Sequence, residues 1–286
     1  MKKKRVIVIV GPTASGKTAL SIELARRYNT AIISADSRQC YKELNIGVAK
    51  PPAEALQSIQ HYFISSHSVH DEVNAEVFEQ YALNAAKEIF DWNDTAIMVG
   101  GTGMYIKAFC EGLDEIPSVD TAIRNEIIES YKQNGITWLR DEIKKKDPVF
   151  WQQAEQQNPR RLMRALEVIH STGRSIVHFR TSQKKERSFR IIKLGIFLPR
   201  QQLHYNIDNR VNKMIADGLV DEVRSLSPYK NLNALQTVGY REVFGYIDNK
   251  LSLDEAVLQI KHNTKQYAKR QLTWFKKDAS IHWLNM

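Results

Sequence analysis

Short apolar runs alternate with amphipathic stretches through residues 1–113. Val6–Val10 is a continuous run of β-branched residues, typical of a strand buried on both faces. Similar runs predict further strands at Ala31–Ser34, His61–Ser65 and Ala96–Val99, and helical spacing of apolar residues predicts helices at Lys17–Arg27 and Glu76–Phe90. This alternation predicts a parallel sheet with helices on its faces.

The pattern changes at residues 114–188, where helical stripes occur without a convincing strand. We predict helices there at Arg124–Lys132, Trp138–Lys145 and Arg161–Ser171. A strand returns at Phe189–Leu198, followed by helices at Gln201–Asp217, Val220–Leu226 and Leu253–Lys276. We therefore expect a core formed by residues 1–113 and 189–286, interrupted by a helical insertion domain at residues 114–188.

The first strand and helix enclose the sequence GPTASGKT, Gly11–Thr18, which fits the phosphate-loop pattern G-x-x-x-x-G-K-[ST]. Glycines let backbone N–H groups close around phosphate oxygens at the positive end of a helix. Lys17 would neutralise phosphate charge, and the Thr18 hydroxyl would bind Mg²⁺. The expected fold is thus an α/β fold with a P-loop-type parallel sheet flanked by helices, although a plain glycine turn is the alternative for the loop itself.

Nucleotide hydrolases normally have a further strand that ends in an aspartate, which binds Mg²⁺, and the sequence shows no such strand. The candidate strand AIMVGG ends in Gly100, Gly101 and Thr102, and the acidic group that best matches the loop is Asp36. Parallel strands bring their carboxyl ends to one crevice, so Gly11–Thr18, Asp36–Gln39 and Gly100–Thr102 should lie together. Asp36 could hold a metal or take a proton. Alternatively, Asp36 and Thr102 are helix caps or turn residues.

Composition excludes some classes of protein. The chain of 286 residues is 43% apolar, with no stretch of 18 consecutive apolar residues, so we expect no membrane span. Its apolar N-terminal run is too short for a signal peptide. Two cysteines, Cys40 and Cys110, form no disulfide framework or metal motif, which favours a reducing, cytoplasmic setting.

The positive charge is unevenly distributed. Residues 1–113 carry 12 basic and 12 acidic side chains, residues 114–188 carry 14 and 11, and residues 189–286 carry 15 and 9. Basic tracts run from Asn158 to Arg187 and from Lys261 to Lys277, where Tyr267, Trp274 and Phe275 are interleaved. Such surfaces suit RNA. A solvated helix face over core aromatics is the alternative for either tract alone.

Six segments together carry a family resemblance. They are GPTASGKT, ISADSRQCYKELNIGVAKP (Ile33 to Pro51), VGGTGMYIKA (Val99 to Ala108), NPRRLMRALEV (Asn158 to Val168), TVGYRE (Thr237 to Glu242) and TKQYAKRQLTWF (Thr264 to Phe275). In this order, over nearly the whole chain, they resemble the tRNA dimethylallyltransferase (isopentenyl-tRNA transferase) family. Two departures are small: Cys40 replaces a larger apolar residue, and Val48 replaces the usual threonine of I-G-T-A-K.

The resemblance implies transfer of a dimethylallyl group from dimethylallyl diphosphate to N6 of the adenosine 3′ to the anticodon, position 37, of tRNA. It implies that the donor diphosphate lies in Gly11, Pro12, Thr13, Ala14, Ser15, Gly16, Lys17 and Thr18, with Arg210 assisting and with Mg²⁺ on Thr18 and Asp36. Asp36 would be the general base. It further implies that the tRNA anticodon stem-loop meets Asp36, Ser37, Arg38, Gln39, Thr102, Arg124, Arg160, Arg161, Leu162, Met163, Arg164, Gln236, Thr237, Val238, Gly239, Tyr240 and Arg241.

Two other classes of function compete with this one. A P-loop kinase would bind ATP in the loop and use Asp36 to activate a hydroxyl, but it does not explain the basic insertion. A non-catalytic RNA-binding module explains only the charge. On the family resemblance we expect a cytoplasmic monomer without a zinc module, of the minimal bacterial or organellar type.

Overall fold

Six strands form a single parallel sheet within residues 3–153, 156–181 and 183–285, which the computed structural model describes. They are β1 (Arg5–Val10), β2 (Ile32–Ala35), β3 (His61–Tyr62), β4 (Thr95–Gly100), β5 (Arg190–Phe197) and β6 (Ile281–Asn285). Their order in the sheet is β3-β2-β4-β1-β5-β6, and every neighbouring pair is parallel. The predicted α/β fold is confirmed.

β1 lies inside the sheet, paired with β4 on one side and with β5 on the other. Its side chains alternate between two apolar cores: Val6, Val8 and Val10 enter one, and Ile7 and Ile9 enter the other. Each fully buried side chain of this size contributes about 1.5–3 kcal/mol. Burial on both faces explains why the run is continuously apolar.

Helices cover both faces of the sheet. They are α1 (Lys17–Tyr28), α2 (Ala53–Ser58), α3 (Ala75–Phe90), α4 (Gly103–Glu111), α5 (Thr121–Lys146), α6 (Pro148–Gln153), α7 (Pro159–Thr172), α8 (Ile176–Phe179), α9 (Arg200–Ala216), α10 (Leu219–Ser225), α11 (Tyr240–Ile247) and α12 (Leu253–Phe275). Ala25 of α1 lies in one core, whereas buried residues of α3, α4, α9, α10, α11 and α12 lie in the other. The sheet is therefore the middle layer of three.

The chain divides into two compact units, formed by residues 1–112 with 186–286 and by residues 113–185. The first, the sheet unit, contains all the strands named above. The second, the helical unit, has a core of its own in which Ile127, Leu139, Leu162 and Leu166 are buried. As predicted, its described elements are helices.

Most predicted elements are present within one to three residues of their expected ends, and the differences are local. α5 consists of two helical segments that meet at a kink at Gly135, where φ is 71° and ψ −166°, and they correspond to the two helices predicted at 124–132 and 138–145. Only glycine adopts this backbone region readily. The third predicted strand shortens to His61–Tyr62, and the pattern did not indicate β6, α2, α4, α6, α8 or α11.

No helix in the described part of the chain combines the length and the apolar character that a membrane span requires.

Candidate active site

The loop Gly11–Thr18 joins β1 to α1 at the carboxyl edge of the sheet. Gly11, Ala14 and Gly16 have φ values of 148°, 63° and 90°. A Cβ atom on Gly11 would lie 3.0 Å from the carbonyl oxygen of Ile196 in β5. Glycine is required there because the loop backbone crosses the neighbouring strand closely.

Two half-buried cations lie at this loop, one within it and one beside it. Lys17 donates to the carbonyl oxygen of Pro12, and Arg210 of α9 donates to the Thr13 hydroxyl at 3.0 Å. Desolvation has the largest effect on Lys17, and together with the positive charge of Arg210 it lowers the pKa of Lys17 to about 7. The negative charge of Asp36 partly offsets this effect by raising the pKa. Burial also lowers the pKa of Arg210. Two desolvated positive groups side by side form a site suited to a polyanion.

Ser15 supplies a further indication of a missing ligand. Its hydroxyl oxygen is buried and has no hydrogen-bond partner among the described residues. A buried hydroxyl without a partner loses about 1–3 kcal/mol of solvation, so such a group normally meets a ligand or water. A phosphate oxygen in the loop would satisfy it.

Asp36 follows β2. Its negative charge acts on both Lys17 and Arg210 and raises their pKa values, opposite to the effect of burial. Its Oδ1 atom accepts from the backbone N–H groups of Arg38 at 2.9 Å and Gln39 at 3.2 Å. The turn role considered as an alternative for Asp36 is thus present. Both of these bonds use Oδ1. The turn therefore does not by itself prevent the other carboxylate oxygen of Asp36 from taking a catalytic role.

Thr102 joins the ends of β2 and β4. It stands at the N-cap position of α4, yet its hydroxyl makes no cap bond and instead accepts from Ser37 N–H at 3.1 Å. Its own N–H donates to the Ala35 carbonyl at 3.2 Å. The predicted meeting of the strand ends is therefore observed.

Gln271 of α12 is a site residue to which the sequence assigned no role. Its Oε1 accepts from Thr13 N–H at 2.8 Å, and its Nε2 donates to the Gly101 carbonyl at 3.0 Å. One buried amide therefore joins the phosphate loop to the end of β4. The segment TKQYAKRQLTWF contained it, but a glutamine in a basic helix looks like a surface residue in the sequence.

Arg38 and Gln39 extend the site toward other loops. Arg38 donates to the Asn233 carbonyl at 2.9 Å. Gln39 Nε2 donates to the carbonyls of Val48 at 3.2 Å and Ala49 at 3.0 Å. Both side chains thus already have protein partners in the absence of substrate.

The stretch Gln236–Arg241 is only partly accessible. Tyr240 is fully buried, Gly239 N–H donates to Glu242 at 2.7 Å, and Gln236 Nε2 donates to the Lys230 carbonyl at 2.7 Å. The Arg241 side chain is 52% exposed. Of the side chains at 239–241, Arg241 is the one placed to meet an external ligand, and Tyr240 supports the loop from within.

In the helical unit, Arg124 and Arg164 share one carboxylate. Glu167 lies 3.8 Å from Arg124 and 3.2 Å from Arg164. Leu162 is buried in the core of this unit, so its side chain faces away from solvent, whereas Arg160 is exposed. Arg164 is therefore paired within the protein, at least in part, rather than wholly free to meet RNA.

Within the described residues, no group of three or more His, Cys, Asp or Glu side chains could hold a metal ion.

Fold and site together define a class: an α/β protein of the P-loop type in which two cationic side chains and a carboxylate lie beside the loop. Residues 39–278 match the family model described as IPP transferase. The chain is 44% identical to the tRNA dimethylallyltransferase of Cytophaga hutchinsonii over 99% of its own length and 93% of the relative's. It is 46% identical to the corresponding enzyme of Christiangramia forsetii, over 97% and 92%. The chain belongs to the IPP transferase family.

Solved structures agree with this assignment. The tRNA isopentenylpyrophosphate transferase of Bacillus halodurans is 33% identical, with a TM-score of 0.72, and the match covers 99% of this chain and 90% of that one. A eukaryotic dimethylallyltransferase acting on tRNA is 27% identical, with a TM-score of 0.82 and coverage of 99% and 74%. The resemblance inferred from the six segments is confirmed.

Proposed function

We propose that the chain transfers a dimethylallyl group from dimethylallyl diphosphate to N6 of the adenosine 3′ to the anticodon, position 37, of tRNA. The observation that carries this proposal is the convergence of Lys17, Arg210 and Asp36 on a loop with an unpartnered buried hydroxyl. A diphosphate requires the cations, and an amine that must lose a proton requires the carboxylate. The family and the tRNA-directed activities named for its relatives support the choice of substrates.

In the proposed reaction, N6 of adenine forms a bond to C1 of the dimethylallyl group. The bond from C1 to the diphosphate oxygen breaks, and the diphosphate leaves with the electron pair. The proton on N6 passes to the Asp36 carboxylate. Lys17, Arg210 and the loop N–H groups stabilise the negative charge that develops on the leaving group. The base must leave its stack to reach C1.

Magnesium fits this donor set. Thr18 and Asp36 are the residues that would hold it, and diphosphate oxygens and water would complete the coordination, as is usual for this ion. When bound, Mg²⁺ neutralises part of the charge of the diphosphate.

We further propose that the anticodon stem-loop contacts half-buried Arg38 and exposed Arg241 of the sheet unit, and that exposed Arg160 of the helical unit also contacts tRNA. Exposed Lys269 and Arg270 of α12 supply additional positive charge. We place the enzyme in the cytoplasm as a monomer. The thiols of Cys40 and Cys110 are free and buried, in keeping with a reducing compartment.

The test is to incubate the protein with unmodified tRNA, Mg²⁺ and dimethylallyl diphosphate and to analyse the nucleosides by mass spectrometry. We expect dimethylallyladenosine in an amount that grows with time. In a parallel thermal-shift measurement, dimethylallyl diphosphate should raise the melting temperature more than ATP does, because ligands stabilise the state that binds them. Unmodified tRNA together with stabilisation by ATP alone would favour a kinase and overturn the proposal.

A further inference from the structure

Glu222 of α10 collects four hydrogen-bond donors on one carboxylate. Oε2 accepts from the backbone N–H groups of Asn45 at 3.1 Å and Ile46 at 2.7 Å. Oε1 accepts from Gly47 N–H at 3.1 Å and from the Tyr240 hydroxyl at 2.5 Å. Hydrogen bonds to a carboxylate are among the stronger ones in proteins, so these four donors are firmly held together at Glu222.

The two elements meeting at Glu222 are also closely packed against each other. A Cβ atom on Gly47 would lie 2.5 Å from the ring of Tyr240, which is fully buried. Burial and the neighbouring Glu222 raise the pKa of the Tyr240 phenol, so it remains a hydrogen-bond donor at physiological pH. The loop therefore has no room to shift on the Tyr240 ring without breaking these bonds.

On one side, the junction reaches Gln39. The carbonyls of Val48 and Ala49, directly after the segment held by Glu222, accept from Gln39 Nε2. Lys50 fixes the far end of the same loop by donating to the Tyr41 carbonyl at 2.7 Å and the Ser65 hydroxyl at 2.8 Å. The position of Gln39, and of the turn that Asp36 closes, thus depends on segment 45–49.

On the other side, the junction reaches the stretch Gln236–Arg241 through Tyr240. We propose that Glu222 is a positioning residue for tRNA. Its carboxylate sets the distance between the stretch Asp36–Gln39 and the stretch Gln236–Arg241, and both stretches belong to the proposed tRNA-binding site. This inference rests on the proposed function. Among the described residues, Glu222 makes no hydrogen bond to the loop Gly11–Thr18, so we expect its effect on donor binding to be indirect and small.

The test compares Glu222→Gln with Asp221→Asn. The glutamine places an NH₂ group where the carboxylate accepts, which opposes one or two of the donors. Asp221 is the neighbouring residue of α10, its side chain is 81% exposed, and it pairs with Arg224, so its variant controls for lost charge. Steady-state kinetics at known concentrations of active sites give KM and kcat for tRNA, and calorimetry gives the Kd for dimethylallyl diphosphate.

We expect Glu222→Gln to raise the KM for tRNA about tenfold or more, with the Kd for dimethylallyl diphosphate changed less than twofold. Asp221→Asn should match the wild type. Tyr240→Phe, which removes one donor and keeps the ring, should raise the KM for tRNA by a smaller factor, and it provides the test if Glu222→Gln does not fold. A fall in the concentration of active enzyme with an unchanged KM for tRNA would show a purely structural role and overturn the inference. If the wild type itself fails to modify tRNA, the proposed function is wrong instead.

Discussion

At the scale of single residues, the site depends on side chains that serve the fold and the ligand together. Asp36 closes a turn with Oδ1 while its charge faces Lys17 and Arg210. Lys17 is bonded to its own loop through the Pro12 carbonyl. Charged groups are costly to desolvate, and the proposed diphosphate would supply the negative charge that balances Lys17 and Arg210.

Replacing Asp36 by asparagine should lower turnover by about a hundredfold or more, the range for loss of a general base. Asparagine retains an Oδ1 acceptor for Arg38 and Gln39, so the turn should persist and tRNA binding should stay near normal. Single-turnover rates and tRNA Kd values measure the two effects separately. Turnover close to that of the wild type would reduce Asp36 to a turn residue.

Donor binding should depend on pH through Lys17. A diphosphate binds the charged ammonium, so affinity is highest below the pKa of about 7 and falls as pH rises through it. The decline can reach about tenfold per pH unit, since one proton is linked to binding. Calorimetry from pH 6 to 9 measures it, with Lys17→Ala as the control for titration of the ligand. Equal pH dependence in both proteins would mean that Lys17 does not titrate in this range.

At the scale of elements, α12 connects the two strand ends that form the site. Gln271 accepts from Thr13 N–H of the phosphate loop and donates to the Gly101 carbonyl at the end of β4. The same helix exposes Lys269 and Arg270, whereas Lys265 is paired with Asp208 at 2.7 Å. The basic tract from Lys261 to Lys277 therefore presents less unpaired positive charge than its sequence indicates.

Gln271→Ala should raise the KM for the donor about tenfold, because two hydrogen bonds are lost and a carbonyl and an N–H remain buried. Thr273→Ala is the matched control: it lies on the same helix, is exposed, and bonds only to the Lys269 carbonyl in the contacts described. Steady-state kinetics with saturating tRNA measure the donor KM. If both variants behave alike, Gln271 does not support the phosphate loop.

These elements also show what a sequence can predict. β1, its loop and α1 are contiguous, and their apolar run and glycines carry local signals that identify them. Gln271 and Glu222 meet partners more than 160 positions away, and no local pattern marks such a pairing. β6 was missed because it is only five residues long, and its apolar residues Ile281, Trp283 and Leu284 form neither a continuous run nor a strict alternation.

At the scale of the whole molecule, acidic side chains of the protein itself neutralise part of the positive charge of residues 114–286. Arg124 and Arg164 lie near Glu167, and Lys193 pairs with Asp278 at 2.6 Å. Net charge therefore overstates the surface available to RNA. The salt dependence of tRNA affinity is the appropriate test, because each contact with a phosphate adds a defined increment to the slope of log affinity against log salt.

Neutralising Arg161 and Arg164 together, each to Gln, should raise the KM for tRNA and reduce the slope of log affinity against log salt by about one to two units. The Kd for dimethylallyl diphosphate should not change. Lys144→Gln with Lys145→Gln, on exposed positions of α5 in the same unit, makes an equal change of charge. Parallel salt slopes and equal affinities for the two double variants would show that Arg161 and Arg164 only pair within the protein.

The position of β1 between β4 and β5 has a consequence for synthesis of the chain. On the ribosome, β1 obtains its β4 partner once residue 100 has emerged, but β5 is made only after the helical unit is complete. During that interval, the nascent chain carries one unpaired edge of an apolar strand, which is the kind of edge that pairs with other chains. β6 pairs with the other edge of β5, so a chain that stops before Ile281 leaves that edge of β5 unpaired.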